Sequence, residues 1–169
     1  MDLQKYVEQL VATLTNQFNG LEIKTEIHYD VPVLILPNQR VHEVLEYLQK
    51  DTTFGLSFLT TLCGIHFPEI KGAEFALMYQ LHNMSNNTRL RIRTYFPETN
   101  IHIKSITDLW PTANWMEREA FDFYGFTFEG HPNLERILNM EEMDYHPMRK
   151  EYQLEDGSRL DKEDKYFGR

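Results

Sequence analysis

Residues 115–138 read WMEREAFDFYGFTFEGHPNLERIL, and the fold prediction starts from this stretch. At about 100° per residue, its first ten residues predict a helix with an apolar stripe and a polar opposite side. The stripe comprises Met116, Ala120, Phe123 and Tyr124, and the opposite side carries Trp115, Arg118, Glu119 and Asp122. Gly125 predicts the end of the helix, because glycine accepts positive φ. Gly130, followed by His131 and Pro132, predicts a second bend.

The N-terminal third alternates between helical and strand patterns. Residues 3–20 carry apolar side chains at helical spacing and end in a glycine, which predicts an amphipathic helix. Residues 21–29 alternate between apolar and polar and predict a half-buried strand. Residues 31–36 predict a short second strand, broken by Pro32. A second helix is predicted after Asn38, which is a suitable N-cap.

The middle of the chain carries the clearest strand signal. Residues 75–81 and 90–96 alternate on either side of a polar turn, which predicts a β-hairpin. Residues 54–65 are apolar and β-rich, and part of this range is predicted to form an interior strand. The outer side of the return strand carries Arg89, Arg91 and Arg93. In an acidic chain this row is most simply a solvated face, with contact to an acidic subunit as the alternative.

These elements predict an α+β fold. Helices bracket a run of mostly antiparallel strands, so we expect a two-layer sandwich with helices packed on one face of the sheet. A chain of 169 residues suits one compact domain, which we place at residues 1–150. In residues 151–169 the apolar pattern gives way to charges. We therefore expect an extended C-terminal tail that docks on partner subunits.

Composition and charge exclude several classes of function. The net charge is −9 and the pI about 5.2, so nucleic acid and anionic lipid surfaces would repel the chain. Cys63 is the one cysteine, which excludes an internal disulfide and an iron–sulfur cluster held by this chain alone. No apolar run approaches the roughly 18 residues that span a membrane, so we expect another subunit to supply any membrane anchor.

The charged side of the predicted helix allows three interpretations. A general acid–base pair is the least favoured, because Glu117 and Glu119 point about 160° apart around the helix. Arg118 and Asp122 instead have the i,i+4 spacing of an ion pair. A fully solvated face does not explain Trp115, since Trp and Arg are typical of interface hot spots. We favour a polar cluster that is partly buried against a partner or a neighbouring loop.

Metal and nucleotide sites find no support in the sequence. The seven histidines contain neither an i,i+4 pair nor an HExxH arrangement, so no zinc site is predicted. Cys63 and His66 lie in an apolar, β-rich run, where a core role is simpler than a catalytic or metal-binding one. The glycines form no GxGxxG or phosphate loop, so neither NADH nor a nucleotide is expected to bind this chain.

The stretch resembles the motif of the C subunit of bacterial NADH:quinone oxidoreductase, a relative of the 30 kDa subunit of mitochondrial complex I. The family pattern is a tryptophan, then E-R-E, D, G, F-x-G-H-P, L, R-I-L and a later R-K pair. It is matched by Trp115, Glu117, Arg118, Glu119, Asp122, Gly125, Phe128, Gly130, His131, Pro132, Leu134, Arg136, Ile137, Leu138, Arg149 and Lys150. Weaker resemblance extends upstream over most of the chain.

The resemblance implies a non-catalytic structural subunit of the peripheral arm, on the cytoplasmic side of the bacterial plasma membrane. It implies that FMN, the iron–sulfur clusters and quinone are bound by other subunits. The expected partners are the D subunit and the cluster-bearing subunits. The implied interface residues are Trp115, Glu117, Arg118, Glu119, Asp122, Gly125, Gly130, His131, Pro132, Arg136, Arg149 and Lys150.

Two alternatives accompany this interpretation. Related membrane-bound hydrogenases and dehydrogenases fed by ferredoxin or a deazaflavin have a similar subunit, and a free-standing soluble acid–base enzyme is the remaining possibility. The chain also departs from the family pattern at residues 64–66, which read Gly-Ile-His. Many relatives carry an aspartate in this segment, so a contact through that carboxylate is not expected here.

Overall fold

A five-stranded sheet is the framework of the computed structural model, which describes residues 3–152. The elements are α1 (Leu3–Gln17), β1 (Lys24–His28), β2 (Val31–Ile35), a 3-10 turn (Asn38–Arg40), α2 (Val41–Lys50), β3 (Phe58–His66), β4 (Phe75–Asn83), β5 (Thr88–Phe96), β6 (His102–Lys104), α3 (Ala113–Tyr124) and β7 (Thr127–Glu129). Helices and strands are mixed as the α+β prediction requires. All but the first two residues of the predicted tail, 151–169, lie outside the described residues.

The sheet has the strand order β1-β2-β5-β4-β3. Every pair is antiparallel except β2 with β5, so the prediction of a mostly antiparallel sheet is confirmed. Strand β1 begins at Lys24, three residues after the predicted start at Leu21. Pro32 lies inside β2 and does not break it. Pairing with β5 starts at Val33, one residue after the proline that lacks an N–H donor.

The three helices of the described region pack on one face of this sheet, as predicted. A single buried cluster joins Leu10 of α1, Leu45 of α2 and Ala120 of α3 to the sheet. Its sheet side includes Tyr79 of β4 and Ile92 of β5, neither of which is exposed. Burying one large apolar side chain contributes roughly 1.5–3 kcal/mol, so this layer provides the main stabilisation of the fold.

Strands β6 and β7 form a separate parallel pair, and α3 is the helix that connects them. The C-terminal end of α3 lies against the middle of β3, the edge strand of the main sheet. Gly64 of β3 permits this approach, because a Cβ there would lie 2.6 Å from the ring of Tyr124. The loop that follows β7 starts beside α3, where His131 Nε2 lies 3.2 Å from the carbonyl oxygen of Asn114. It contacts β3 at Lys150, whose N–H donates to His66 Nδ1 at 2.9 Å.

The predicted N-cap at Asn38 is wrong. Asn38 lies within the 3-10 turn, and α2 begins without a side-chain cap hydrogen bond. Residues 107–109 form a single turn before α3. The hydroxyl of Ser105 does accept the N–H of Thr107 at 3.2 Å, but it donates to the carboxylate of Glu117 at 2.7 Å. The turn therefore has its main hydrogen-bonding partner, Glu117, on α3.

Candidate functional site at helix α3

Asp122 is buried near the C-terminal end of α3 and accepts five hydrogen bonds from the loop that follows β7. Its Oδ1 accepts Arg136 Nη1 at 2.7 Å and Asn139 Nδ2 at 3.0 Å. Its Oδ2 accepts the N–H groups of Ile137, Leu138 and Asn139 at 2.8–3.1 Å. Burial alone would raise the pKa of Asp122, but these donors together hold it well below its usual range. The ionised carboxylate therefore holds the loop on the helix.

The last four carbonyl groups of α3 all accept hydrogen bonds from residues after the helix, so none of them lacks a partner. The donors are Gly125 N to Phe121 O (2.8 Å), Arg136 Nη1 and His146 Nδ1 to Asp122 O (3.1 and 3.0 Å), Met148 N to Phe123 O (3.2 Å) and Arg149 Nε to Tyr124 O (2.9 Å). Arg136 and Arg149 thus place positive charge at the negative end of the helix dipole.

Gly125 is required at the end of α3 for two reasons. Its φ is 86°, a left-handed conformation that disfavours residues with a Cβ. A Cβ there would also lie 2.7 Å from His146 Nε2 and 2.8 Å from Arg149 Nη2. Gly130 has a similar φ of 80°, but nothing lies within 4 Å of the position of its missing Cβ. The close approach of the loop is therefore specific to Gly125.

Glu117 occupies a second buried position on α3, facing the turn that precedes the helix. Its Oε2 accepts the hydroxyl of Ser105 at 2.7 Å, and its Oε1 accepts the N–H of Ile106 at 2.8 Å. Burial raises the pKa of Glu117 to about 7, even though both hydrogen bonds favour the ionised form. Glu119 is exposed, so these two carboxylates point to opposite sides of the helix, as predicted.

His131 lies beside Glu117, with 4.0 Å between Nε2 and Oε2 and both side chains inaccessible to solvent. Its Nδ1 accepts the N–H of Asn133 at 3.0 Å, and its Nε2 lies 3.2 Å from the carbonyl oxygen of Asn114. Because a carbonyl can only accept, these contacts select the neutral imidazole with its proton on Nε2. The pair is a neutral histidine beside a buried carboxyl group.

The predicted ion pair between Arg118 and Asp122 is wrong. Arg118 donates to the carbonyl oxygens of Glu135 and Arg136 at 3.0 and 2.8 Å, while Asp122 pairs with the guanidinium of Arg136. The i,i+4 rule considers one helix in isolation, whereas the returning loop brings a better placed cation to the carboxylate. Burial against a neighbouring loop, the other part of that prediction, is confirmed for both residues.

Several predicted interface residues are exposed instead. Trp115 is 59% exposed, and Glu119, Gly130, Pro132 and Lys150 are also exposed. Arg149 is mostly buried, with its guanidinium carbon 5.0 Å from the centre of the Phe75 ring. The structure thus divides the motif into residues that hold the loop and residues that face solvent. The interface role of either group stays a prediction.

Sequence reasoning missed Asn139 and His146 as parts of this site. The last four carbonyl groups of a helix need hydrogen-bond donors. The donor side chains that follow Gly125 in the sequence, among them His146, could therefore have been recognised as candidates for this role. Nothing in the sequence marked Asn139. His66 does have the expected core role: it stacks on Phe75 at 4.3 Å between ring centres, and its Nδ1 accepts the N–H of Lys150 at 2.9 Å.

Two further observations concern residues 3–152 as a whole. No group of three or more His, Cys, Asp or Glu side chains in this range is placed to hold a metal ion. None of the helices described there has the length and apolar character that crossing a membrane requires.

The chain matches a known protein family over most of its length. The family described as respiratory-chain NADH dehydrogenase, 30 Kd subunit, matches residues 34–158, a range that includes α3 and the loop bound to it. The chain belongs to this family. Its resemblance to the C subunit of NADH:quinone oxidoreductase, inferred from the residues around Asp122, is thereby confirmed.

Individual members of the 30 kDa subunit family are similar to this chain over most of its length. The C subunit of NADH-quinone oxidoreductase from Roseiflexus sp. is 35% identical over 154 residues, covering 91% of this chain and 86% of the relative. The fifth subunit of the Thermus thermophilus enzyme is 33% identical, covering 79% of this chain and 67% of the relative. The C subunit from Mycolicibacterium paratuberculosis is 33% identical over 88% of this chain, which spans only 66% of that protein.

Solved structures support the fold of this 30 kDa family member. A trypsin-resistant fragment of Nqo5 matches with a TM-score of 0.62 and 29% identity, covering 79% of this chain and the whole fragment. A chain from the archaeal membrane-bound sulfane sulfur reductase matches with a TM-score of 0.72 and 22% identity, covering 88% of this chain and 86% of its own length. The second likeness concerns the fold alone.

Proposed function

We propose that this chain is a non-catalytic structural subunit in the peripheral arm of an NADH:quinone oxidoreductase. That complex passes electrons from NADH through FMN and iron–sulfur clusters to a quinone, coupled to proton translocation. Membership of the 30 kDa subunit family, through a match that runs across α3 and its loop, is the observation that carries the proposal.

The geometry of α3 supports a structural role. The carboxylate of Asp122 is committed to a guanidinium, a side-chain amide and three backbone N–H groups of the same chain. Glu117 is committed to Ser105 and Ile106 and is closed off from solvent. A general acid or base must reach a substrate proton, and two buried carboxyl groups with internal partners are better suited to fixing a loop.

The same proposal assigns partners and cofactors. FMN, the iron–sulfur clusters and quinone belong to other subunits, and this chain contacts the D subunit and cluster-bearing subunits. Trp115 and Glu119 lie on the exposed side of α3 and are free to meet such a partner. We place the chain on the cytoplasmic side of the bacterial plasma membrane, held there by the membrane subunits of the complex.

Affinity purification of the tagged, full-length chain from gently solubilised native membranes tests this function. We expect recovery with flavin-bearing, cluster-bearing and membrane subunits, together with NADH:quinone reductase activity. Recovery with hydrogenase subunits or a ferredoxin-linked input module would replace the NADH assignment. Recovery of the chain alone, under conditions that keep other membrane complexes intact, would contradict the proposal.

A further inference from the structure

The main sheet has a second face that the described helices leave uncovered except at the β3 edge, where Cys63 lines a cavity with Glu119 and Phe123 of α3. Val33 and Ala76 on this face are buried, yet neither joins the cluster that packs against the helices. Strand register identifies the rest of the surface, because paired residues point to the same side of a sheet. We call this surface the open face; its rows are Phe58–His82–Arg89, Thr61–Gln80–Arg91–Val33–Glu26, Cys63–Met78–Arg93–Ile35–Lys24 and Ile65–Ala76–Tyr95.

The open face concentrates positive charge in a chain whose net charge is −9. Its strand positions carry Arg89, Arg91, Arg93 and Lys24, against one carboxylate, Glu26, within the described strands. Glu26 lies 3.6 Å from Arg93 Nη1 and also 3.0 Å from His28 Nε2, so it is shared. Outside the strands, Glu22 lines a cavity with Lys24, and Asp30 lines one with Arg89. The positive charge with the fewest neighbouring carboxylates is therefore that of Arg91.

The arginines at the centre of the open face are held in place before any partner arrives. Arg91 Nε donates to Gln80 Oε1 at 3.0 Å, and Arg93 Nη1 donates to the hydroxyl of Tyr95 at 3.2 Å. Ordering a long side chain in advance lowers the entropy cost of binding. Both guanidinium groups are thus preorganised, which favours recognition of carboxylates with fixed geometry.

Apolar side chains lie between these cations. Phe58 is 48% exposed at the edge strand, and Cys63, Ile65 and Met78 are each partly exposed. Arginine, methionine and aromatic residues together are typical of protein interfaces, whereas a purely solvated sheet face carries small or polar residues. Nucleic acid or an anionic lipid surface extends beyond this patch and would meet the field of an acidic chain. A protein partner fits the mixture better.

We propose that the open face is a docking surface for a carboxylate-rich segment of another subunit of the same complex. Arginines Arg89 and Arg91 bind the partner's carboxylates, and Phe58 and Met78 bury apolar surface beside them. The proposal rests on the assignment to a multisubunit complex made above. It adds a second contact surface, on the side of the sheet opposite to α3 and its loop.

Site-specific photo-cross-linking in the assembled complex tests the docking surface. The tagged full-length chain carries p-benzoylphenylalanine in place of Phe58, or in place of Asn16 as the control, since Asn16 is an exposed residue of α1, on the other side of the sheet. After irradiation of native membranes, we expect the Phe58 probe to join an Asp/Glu-rich peptide of another subunit. The Asn16 probe should not reach that peptide.

Charge reversal then tests the role of the arginines. Arg89→Glu with Arg91→Glu should lower the yield of the cross-linked product at least tenfold. Lys71→Glu, an exposed residue of the β3–β4 turn, should change it less than twofold. Replacing the carboxylates of the cross-linked peptide by lysine should restore the yield with the reversed chain. If the reversed chain does not fold, Arg89→Gln with Arg91→Gln should still lower the yield at least threefold.

Other outcomes separate this proposal from the proposed function. A chain that purifies with flavin- and cluster-bearing subunits but gives no Phe58 cross-link to any of them overturns the docking surface and leaves the function intact. A cross-link to a second copy of the chain, to lipid or to nucleic acid also overturns it. A chain that purifies alone overturns both.

Discussion

Asp122 Oδ1 and Arg136 Nη1 lie 2.7 Å apart, and their side chains are 0% and 8% exposed. The pair joins the end of α3 to a loop residue fourteen positions later, and both charges are withdrawn from water. In such a pair each ion compensates the desolvation of the other. Removing one of the two ions should therefore lower the free energy of unfolding by more than the intact pair contributes to it.

We expect Asp122→Asn to lower the free energy of unfolding by about 3 kcal/mol, because Arg136 is left buried without a counter-ion. The new amide group also faces N–H donors that need an acceptor. Urea denaturation of the full-length chain near neutral pH measures the loss. Glu119→Gln is the matched control on the exposed side of α3 and should change stability by no more than about 0.5 kcal/mol. A loss below about 1 kcal/mol for Asp122→Asn would contradict the structural role.

Gly125 and Gly130 offer a matched pair of substitutions to alanine. Both have positive φ, so each alanine variant should lose about 1–2 kcal/mol from backbone strain. Gly125→Ala should lose at least a further 1 kcal/mol or so, because its Cβ meets His146 and Arg149. Thermal unfolding of the two variants gives the comparison. Equal losses would show that the loop moves away from α3 at little cost.

Glu117 should make stability depend on pH. Folding raises the pKa of Glu117 from 4.5 to about 7, so folding favours the protonated form. This contribution is fully present below about pH 4.5 and is lost as pH rises through 7. Since one pKa unit corresponds to about 1.4 kcal/mol, the change is at most roughly 3.5 kcal/mol.

Comparison with Glu117→Gln isolates this dependence, because other titrating groups are common to both chains. Between about pH 5 and pH 8, the wild type should lose roughly 1–3 kcal/mol of stability relative to the variant. Urea denaturation at several pH values provides the curves. Parallel pH profiles for the two chains would be incompatible with a raised pKa at Glu117.

Trp115 should matter for assembly and not for folding. Its side chain is largely exposed, so Trp115→Ala should change the free energy of unfolding by less than about 1 kcal/mol. Loss of an interface tryptophan commonly costs 2 kcal/mol or more of binding, which predicts at least a tenfold lower recovery of partner subunits. Met84→Ala, at an exposed residue of the β4–β5 turn, is the control. Unchanged recovery of partners with Trp115→Ala would exclude this surface from the interface.

The parts of the fold that follow periodic patterns were predictable from the sequence. The hairpin of β4 and β5 and the helices α1 and α2 bury the side that their apolar spacing indicates. The end of α3 at Gly125 was also correct, because positive φ there depends on local backbone geometry. Such elements are encoded within one segment of the chain.

The site itself was only half predictable. The charged side of α3 was recognised, but the partner of Asp122 was not, because Arg136 arrives through a loop with no periodic pattern. The burial of Glu117 was also missed, since a carboxylate on a helix ordinarily indicates solvent. In both cases the deciding contact lies ten or more residues away, where spacing rules carry no information.

Arg136 also influences where the loop should tolerate an insertion or a cut in the chain. Its second terminal nitrogen donates to the carbonyl oxygens of Met143 and Tyr145, so it bridges the exposed residues 140–142. His146 and Arg149 then attach the far side of the loop to α3 independently. The two halves of the loop are thus bound to the helix separately. An epitope inserted at residues 140–142, or a single peptide-bond cut there, should leave α3 and its capped end in place.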